Sequence, residues 1–501
     1  MELIFQENPL TYLNRILCER SSQEQTAELI VPDSCPDAQR IVDAFGTVLI
    51  RAEECLAGSI SVAGVVQAGV LFVTEGGAVE CLHTQIPFTV RQELPGQQED
   101  CTLQCLCSLR SMDARLLNSR KVLIRAGISC DMQVYARKQR SVAELAEPAP
   151  SLQLRRVELP LQMPLALGER SFVLNEELEL PAGKPPVERL LRVLYRPQVQ
   201  EQKAVGSKAV FKGSLTVHVL YEDGEGGLQA FESELPFSQY TELDSEPEEG
   251  QVQTLLTLTS AETEPETQHD CRRLLLSVNL LAQCVAFGER RVKLISDAYC
   301  TDAMLEPRFD QWEMTGVLDR QTFRDTALAS ADVPAKRVVD AWMYPDEPLR
   351  QRSGERVAVE LPLNCNVLYY DAEGALQGRT LRPVLQAETL LAERGNCRIS
   401  QVSGGEIFCA AGPGGLELRC PVGMEMESFA VEELRALSGG EISPEEPGER
   451  RPGVLLRRTA QPQEVWDIAK SCRAVPEAIL KANELESSLV PADLMLLIPM
   501  Q

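Results

Sequence analysis

The feature that most constrains this chain is an internal repeat. Val70-Leu71-Phe72-Val73, Val219-Leu220-Tyr221-Glu222 and Val367-Leu368-Tyr369-Tyr370 recur at offsets of 149 and 148 residues. Other landmarks keep nearly the same spacing. Arg40-Ile41, Arg189-Leu190 and Arg337-Val338 precede each copy, Gly77, Gly226 and Gly374 follow it, and Pro87, Pro236 and Pro383 come later. Four landmarks held through three copies mean tandem domains, not one continuous fold of 501 residues.

The repeat itself reads as strand. Alternate positions are apolar in every copy: Val66, Ala68, Val70, Phe72; then Leu215, Val217, Val219, Tyr221; then Leu363, Cys365, Val367, Tyr369. A period of two marks one buried strand face. The positions between, Gln67 and Gly69, Thr216 and His218, Asn364 and Asn366, suggest a second face that is partly wet. Each run enters a glycine-bearing segment, where a hairpin turn is expected. His218 is read as a solvated or cross-strand residue because its counterparts are Gly69 and Asn366. Further strands are expected over Lys121–Ile128, Arg273–Leu280 and Gly415–Val422, giving mainly antiparallel β domains with a short helix or two. Thr241 to Gly250 and Glu264-Pro265-Glu266 read as solvent loops.

Composition narrows the function. With 49 Lys+Arg against 74 Asp+Glu the net charge is −25, which works against nucleic acid or anionic membrane as a partner. Leu56 to Thr74 is uncharged over 19 residues, but its glycines and its charged counterparts in the other copies exclude a transmembrane segment. Three histidines make a His-rich metal centre an unsuitable reading. The N-terminus shows no export signal, so the 16 cysteines read as free, largely buried thiols in a reducing cytoplasm. Cys101-x3-Cys105-x-Cys107 lacks paired C-x2-C spacing, and Cys105 and Cys107 are expected on one side of a strand. No metal, cofactor or catalytic residue is expected. The chain has no phosphate loop, H-E-x-x-H or G-x-S-x-G motif, so an enzyme is not expected either.

After the third copy, Ser438-Gly439-Gly440 and Ser443 to Gly448 read as a Gly/Pro/Glu-rich linker. A different module then follows in the order β-α-α-β. A strand is expected at Val454–Arg457, a helix over Glu464–Lys470, a second helix opened by Pro476, and a closing strand over Leu494–Pro499. At Val465-Trp466-Asp467-Ile468-Ala469-Lys470, Ala478 to Asn483 and Leu496-Leu497-Ile498-Pro499 the sequence resembles a LysM domain. LysM domains typically bind N-acetylglucosamine chains between two loops. Here Pro462-Gln463-Glu464 stands where the family usually carries Gly-Asp-Thr, so a protein partner is the preferred reading and peptidoglycan or cortex glycan the alternative. Trp466 is expected in the module's core.

The pattern Val31-Pro32-Asp33-Ser34-Cys35-Pro36-Asp37-Ala38-Gln39-Arg40-Ile41, then Val62-Ala63-Gly64-Val65-Val66 and Ile86-Pro87-Phe88, resembles the SPOCS domain of endospore-forming Firmicutes. SPOCS repeats followed by LysM resemble the SipL-like family of spore-coat morphogenetic proteins. The resemblance implies a mainly β, α+β multidomain chain. Its parts would be an N-terminal segment (1–30), SPOCS-like repeats at 31–165, 166–308 and 309–436, the third divergent, a linker (437–452) and a LysM-like βααβ domain (453–499). It also implies a cytoplasmic adaptor of the mother cell at the forespore surface, partnered by a SpoIVA-like coat ATPase and by itself or other coat proteins. Gln461, Pro462, Gln463, Glu464, Asn483 and Ala492 are the expected docking groove.

Overall fold

The structure, a computed structural model, describes residues 5–96, 100–145, 151–247, 250–266, 271–391, 395–444 and 452–500. Unit one runs β1 (Phe5–Ile30), β2 (Ala38–Leu56), β3 (Ser59–Thr74), β4 (Val79–Glu93), β5 (Cys101–Asn118) and β6 (Lys121–Leu145). It makes two antiparallel sheets, β2-β3-β4 and β1-β6-β5. Unit two repeats this with β7 (Leu152–Glu179), β8 (Arg189–Val205), β9 (Lys208–Glu222), β10 (Leu228–Glu242), β11 (Gln251–Pro265) and β12 (Arg273–Cys300), in sheets β8-β9-β10 and β7-β12-β11. Unit three breaks the same strands into more pieces. These are β13 (Ala303–Ala331), β14 (Ala335–Pro345), β15 (Leu349–Ser353), β16 (Arg356–Asp371), β17 (Leu376–Leu381), β18 (Val384–Leu390), β19 (Asn396–Gly404), β20 (Phe408–Gly412) and β21 (Gly415–Pro444). Here β16 holds β14, β15, β17 and β18, and β21 lies between β13 and the β19 and β20 strands. Among the described residues of the three units there is no helix.

The hairpins are where the alternation puts them. Val66, Val70 and Phe72, their counterparts Leu215, Val217, Val219 and Tyr221, and Leu363 and Cys365 have no exposed surface. Each fully buried aliphatic side chain contributes about 1.5–3 kcal/mol relative to an exposed one. The turns close on Gly77, Gly226 and Gly374, all at φ between 80° and 83°, which a residue with a Cβ adopts only under strain. Pro87 and Pro236 sit in β4 and β10, which are outer strands of their sheets, where a missing N–H costs no ladder bond. Pro383 falls in the break between β17 and β18.

Several segments fold differently from the sequence reading. β1 pairs with β6 from Phe5↔Leu145 to Ile30↔Lys121, so the residues ahead of the Val31-Pro32 landmark form the first strand of unit one. β7 and β13 do the same in units two and three, and they run across residues 165 and 308. The expected linker glycines Gly439 and Gly440 lie inside β21, opposite Arg308 and Pro307, because β13 supplies a partner strand that local composition does not reveal. Residues 445–451 of that linker, and 248–249 of the expected loop at 241–250, lie outside the described residues. Glu264 and Pro265 end β11, paired with Leu275 and Leu274.

The three hairpin sheets close into a ring. Cys81 on β4 reaches the Leu191 carbonyl on β8, Sγ to O 3.3 Å. At the aligned position of unit three, Gly378 on β17 lies against the Val42 carbonyl of β2. The register arginines hold the same seams: Arg189 bonds Glu80 and the Val79 carbonyl, and Arg40 bonds Gln377. The long-strand sheets of units two and three share the ladder pair Val317↔Gln162, and Met163, Val292 and Leu294 pack against Trp312, Met314 and Leu434 across the same junction.

Candidate functional site

Ring closure brings the second hairpin faces together on a central axis. Asp43, Arg192 and Asp340 occupy the same repeat position, 149 and 148 residues apart, and they meet there. The Arg192 guanidinium donates to Asp43 at 2.9 Å and to Asp340, and lies 3.5 Å from the centre of the Trp342 ring. Asn366 Nδ2 donates to Asp43 at 3.4 Å. His218 Nε2 is 2.7 Å from Asp340, and its Nδ1 is 3.2 Å from its cross-strand neighbour Glu232.

The face expected to be partly wet is therefore buried at its centre, and His218 is cross-strand but not solvated. The reason is packing of copy on copy, which covers polar positions that a lone sheet would expose. Burial disfavours ionisation of both carboxylates. At Asp43 it prevails and pushes the pKa up to about 7; at Asp340 the His218 and Arg192 charges outweigh it and the pKa falls. Burial also opposes protonation of His218, but Asp340 and Glu232 overcome it and raise its pKa.

A second buried ion cluster ties the long-strand layer. Glu427 on β21 has no exposed side-chain surface and accepts from Arg15 of unit one and from Arg320 and Arg398 of unit three. Burial works against its charge, yet the three guanidiniums hold its carboxyl well below the usual carboxylate range. Beside it Leu13, Tyr135, Leu167, Val285 and Phe287 form an apolar plug shared by units one and two.

The C-terminal module has its own core and a defined seat. It consists of β22 (Val454–Arg458), β23 (Gln463–Glu464), α1 (Val465–Cys472), α2 (Pro476–Ala482), β24 (Leu489–Val490) and β25 (Met495–Pro499). Val465, Ile468 and Ala469 on α1 and Ile479 on α2 are buried against Leu496 and Ile498 of β25. Trp466, expected in that core, is only partly buried and bridges to unit two. Its Nε1 donates to Asp297 at 2.9 Å, and its ring meets Tyr299 edge-on at 5.1 Å. Lys470 also donates to Asp297 at 2.6 Å, and the Tyr299 hydroxyl donates to the Ala474 carbonyl at 2.8 Å.

The expected groove residues divide into two groups. The β23–β24 ladder sets Gln463 and Glu464 beside Val490 and Leu489, and Thr459 Oγ1 donates to the Pro491 carbonyl at 2.7 Å. Gln461, Pro462 and Ala492 thus share one exposed loop rim. Glu464 is the N-cap of α1 but caps nothing with its side chain; its carboxylate pairs with Arg155 of β7. Asn483 is elsewhere, bonded to the Ile479 and Leu497 carbonyls and to the Leu497 N–H, where it anchors α2 to β25.

The cysteines also depart from a uniformly free set. Cys55 at the end of β2 and Cys101 at the start of β5 form a disulfide, because the two strands face each other across the core of unit one. Cys105 and Cys107 do share a strand face, with Sγ atoms 3.5 Å apart.

The hairpin layer also carries the chain's kinship. Residues 37–117 and 186–263 match the family model described as SipL, SPOCS domain. These two stretches are SipL-type SPOCS domains. They run from β2 into β5 and from β8 into β11, and they start at the repeat's own offset of 149 residues. Over these two stretches, about a third of the chain, the protein is SipL-like. Unit three lies outside both matched SPOCS segments, yet it repeats their strand order and supplies Asp340 to the same axis. No curated protein and no solved structure matches the chain. No helix among the described residues is long and apolar enough to cross a membrane.

Proposed function

We propose that the chain is a non-enzymatic assembly adaptor in spore-coat morphogenesis, docking a SpoIVA-like coat ATPase at the forespore surface through its C-terminal module. The observation that carries this reading is a βααβ module seated on the second of the two SipL SPOCS units, with the loop rim of Gln461, Pro462 and Ala492 exposed. The repeats spend their shared hairpin faces on one another. The three units therefore act as one body, and partner selectivity falls to surfaces that occur once, such as this rim. Glu464 would exchange Arg155 for a group on the partner.

Immobilised coat ATPase should retain the full chain and release a truncation ending at Gly448, and Glu464→Lys should weaken retention without unfolding the module. Equal retention of full chain and truncation would remove the module from the docking role. Retention on purified peptidoglycan that is lost on the same truncation would instead favour the glycan reading.

A further inference from the structure

Unit one contains a convergence of sulfur atoms that neither the repeat nor the docking module uses. Cys105 and Cys107 lie at i and i+2 on β5, and the register of β5 with β6 places Cys130 directly opposite Cys107. The Cys107 and Cys130 Sγ atoms are 2.7 Å apart, and Cys105 Sγ is 3.5 Å from that of Cys107. All three sulfurs fall within 4.8 Å of one another. Cys105 and Cys130 have no exposed surface, while Cys107 is half-buried.

We infer that Cys105, Cys107 and Cys130 form a binding site for one thiophilic d10 cation, with zinc as its natural test ion. Three thiolates around zinc at about 2.3 Å stand about 3.8 Å apart, so this triangle needs only small adjustments to close on an ion. The Cys107–Cys130 separation is shorter than the roughly 3.5–4.0 Å of ordinary non-bonded contact, so the two sulfurs call for a bridge. A disulfide would bridge these two and leave the buried Cys105 sulfur beside them unused. A cation uses all three.

Access comes from the ring axis. Cys107 lines a cavity of about 240 Å³ that also touches Arg196, Tyr195 and Trp342. Zinc keeps a fourth coordination position beyond three protein ligands, and water can fill it from this side. Binding replaces the thiol protons with metal–sulfur bonds and releases up to three protons to solvent, so affinity falls as pH falls. No electron transfer is involved.

The test uses the full chain, purified under reductant, loaded with zinc and dialysed. About one zinc per chain is expected, together with the near-ultraviolet thiolate-to-metal band when cobalt(II) replaces it. Cys107→Ser should lower zinc affinity by about 100-fold or more, because loss even of an outer-shell partner costs up to that much. Cys35→Ser, a half-buried cysteine outside the cluster, should leave it unchanged. Should Cys107→Ser fail to fold, Cys105→Ser and Cys130→Ser take its place, and the cobalt band of the unaltered chain should be lost in each. The inference is overturned if the reduced chain retains no zinc and shows no cobalt–thiolate band. It is also overturned if Cys107→Ser binds as the parent does, or if alkylation and peptide mapping recover a Cys107–Cys130 disulfide from freshly lysed cells.

Discussion

The central axis makes a prediction about Asp43 that runs against the usual expectation for a salt bridge. Asp43 is 6% exposed, and its pKa rises from 3.8 to about 7 because burial outweighs the single guanidinium it shares with Asp340. Between pH 4 and 7 the folded chain holds this proton while the unfolded chain has lost it. Folded protein binds more protons in that window, so stability falls as pH rises through it and the full cost is present above about pH 7. From pH 5 to 7 that is two units at about 1.4 kcal/mol each, or about 3 kcal/mol.

Asp43→Asn keeps an acceptor for Arg192 and removes the charge. Its stability relative to the parent should therefore improve by about 3 kcal/mol between pH 5 and pH 8. The rise in the His218 pKa is present in both proteins and cancels in the difference. Urea unfolding at the two pH values, followed by the fluorescence of Trp342 stacked on Arg192, reads the effect. Parallel pH profiles would refute the reasoning. A variant that loses about 3–5 kcal/mol at pH 8 would do so as well, since that is the cost of breaking a needed buried pair.

Two further outcomes follow from the seams. A Cβ on Gly378 would stand 1.6 Å from the Val42 carbonyl oxygen, backbone against backbone. Gly378→Ala should therefore open the junction of units three and one and cost about 1–3 kcal/mol or more by urea midpoint. Gly58→Ala, with nothing within 4 Å, should stay within about 0.5 kcal/mol of the parent. Asp297→Ala removes the acceptor for both Trp466 and Lys470. It should weaken the module's seat by about 1–3 kcal/mol, seen as faster hydrogen exchange in α1 and at residues 297–300 with the body's unfolding midpoint unchanged.

Much of the local structure is legible in the residues themselves. The alternation at Val66–Phe72 and its counterparts names a buried face that is indeed buried, and Lys121, Arg273 and Gly415 open β6, β12 and β21. The apolar spacing of Val465, Ile468 and Ala469 fixes the inner side of α1. The weakly patterned first strands escape this kind of reading, because β1 alternates little through Arg20-Ser21-Ser22-Gln23-Glu24-Gln25 and is held by its pairing with β6. One long-range signal was present all the same. The repeat offsets that align the hairpins also align Asp43, Arg192 and Asp340, and opposite charges at one repeat position are a mark of copies that meet.

The sequence by itself determined the repeat, the hairpins at its centre and the change of character in the last 50 or so residues, because strand and helix periods are written within a few neighbouring positions. Only the tertiary structure decided that the three copies close on a charged axis and that Trp466, packed at the edge of its module's core, also reaches Asp297 of unit two. It likewise decided that Cys55 meets Cys101, and that Cys130 arrives opposite Cys107 from 23 residues along the chain. These contacts depend on strand register and on one unit packing against another, which no local spacing encodes.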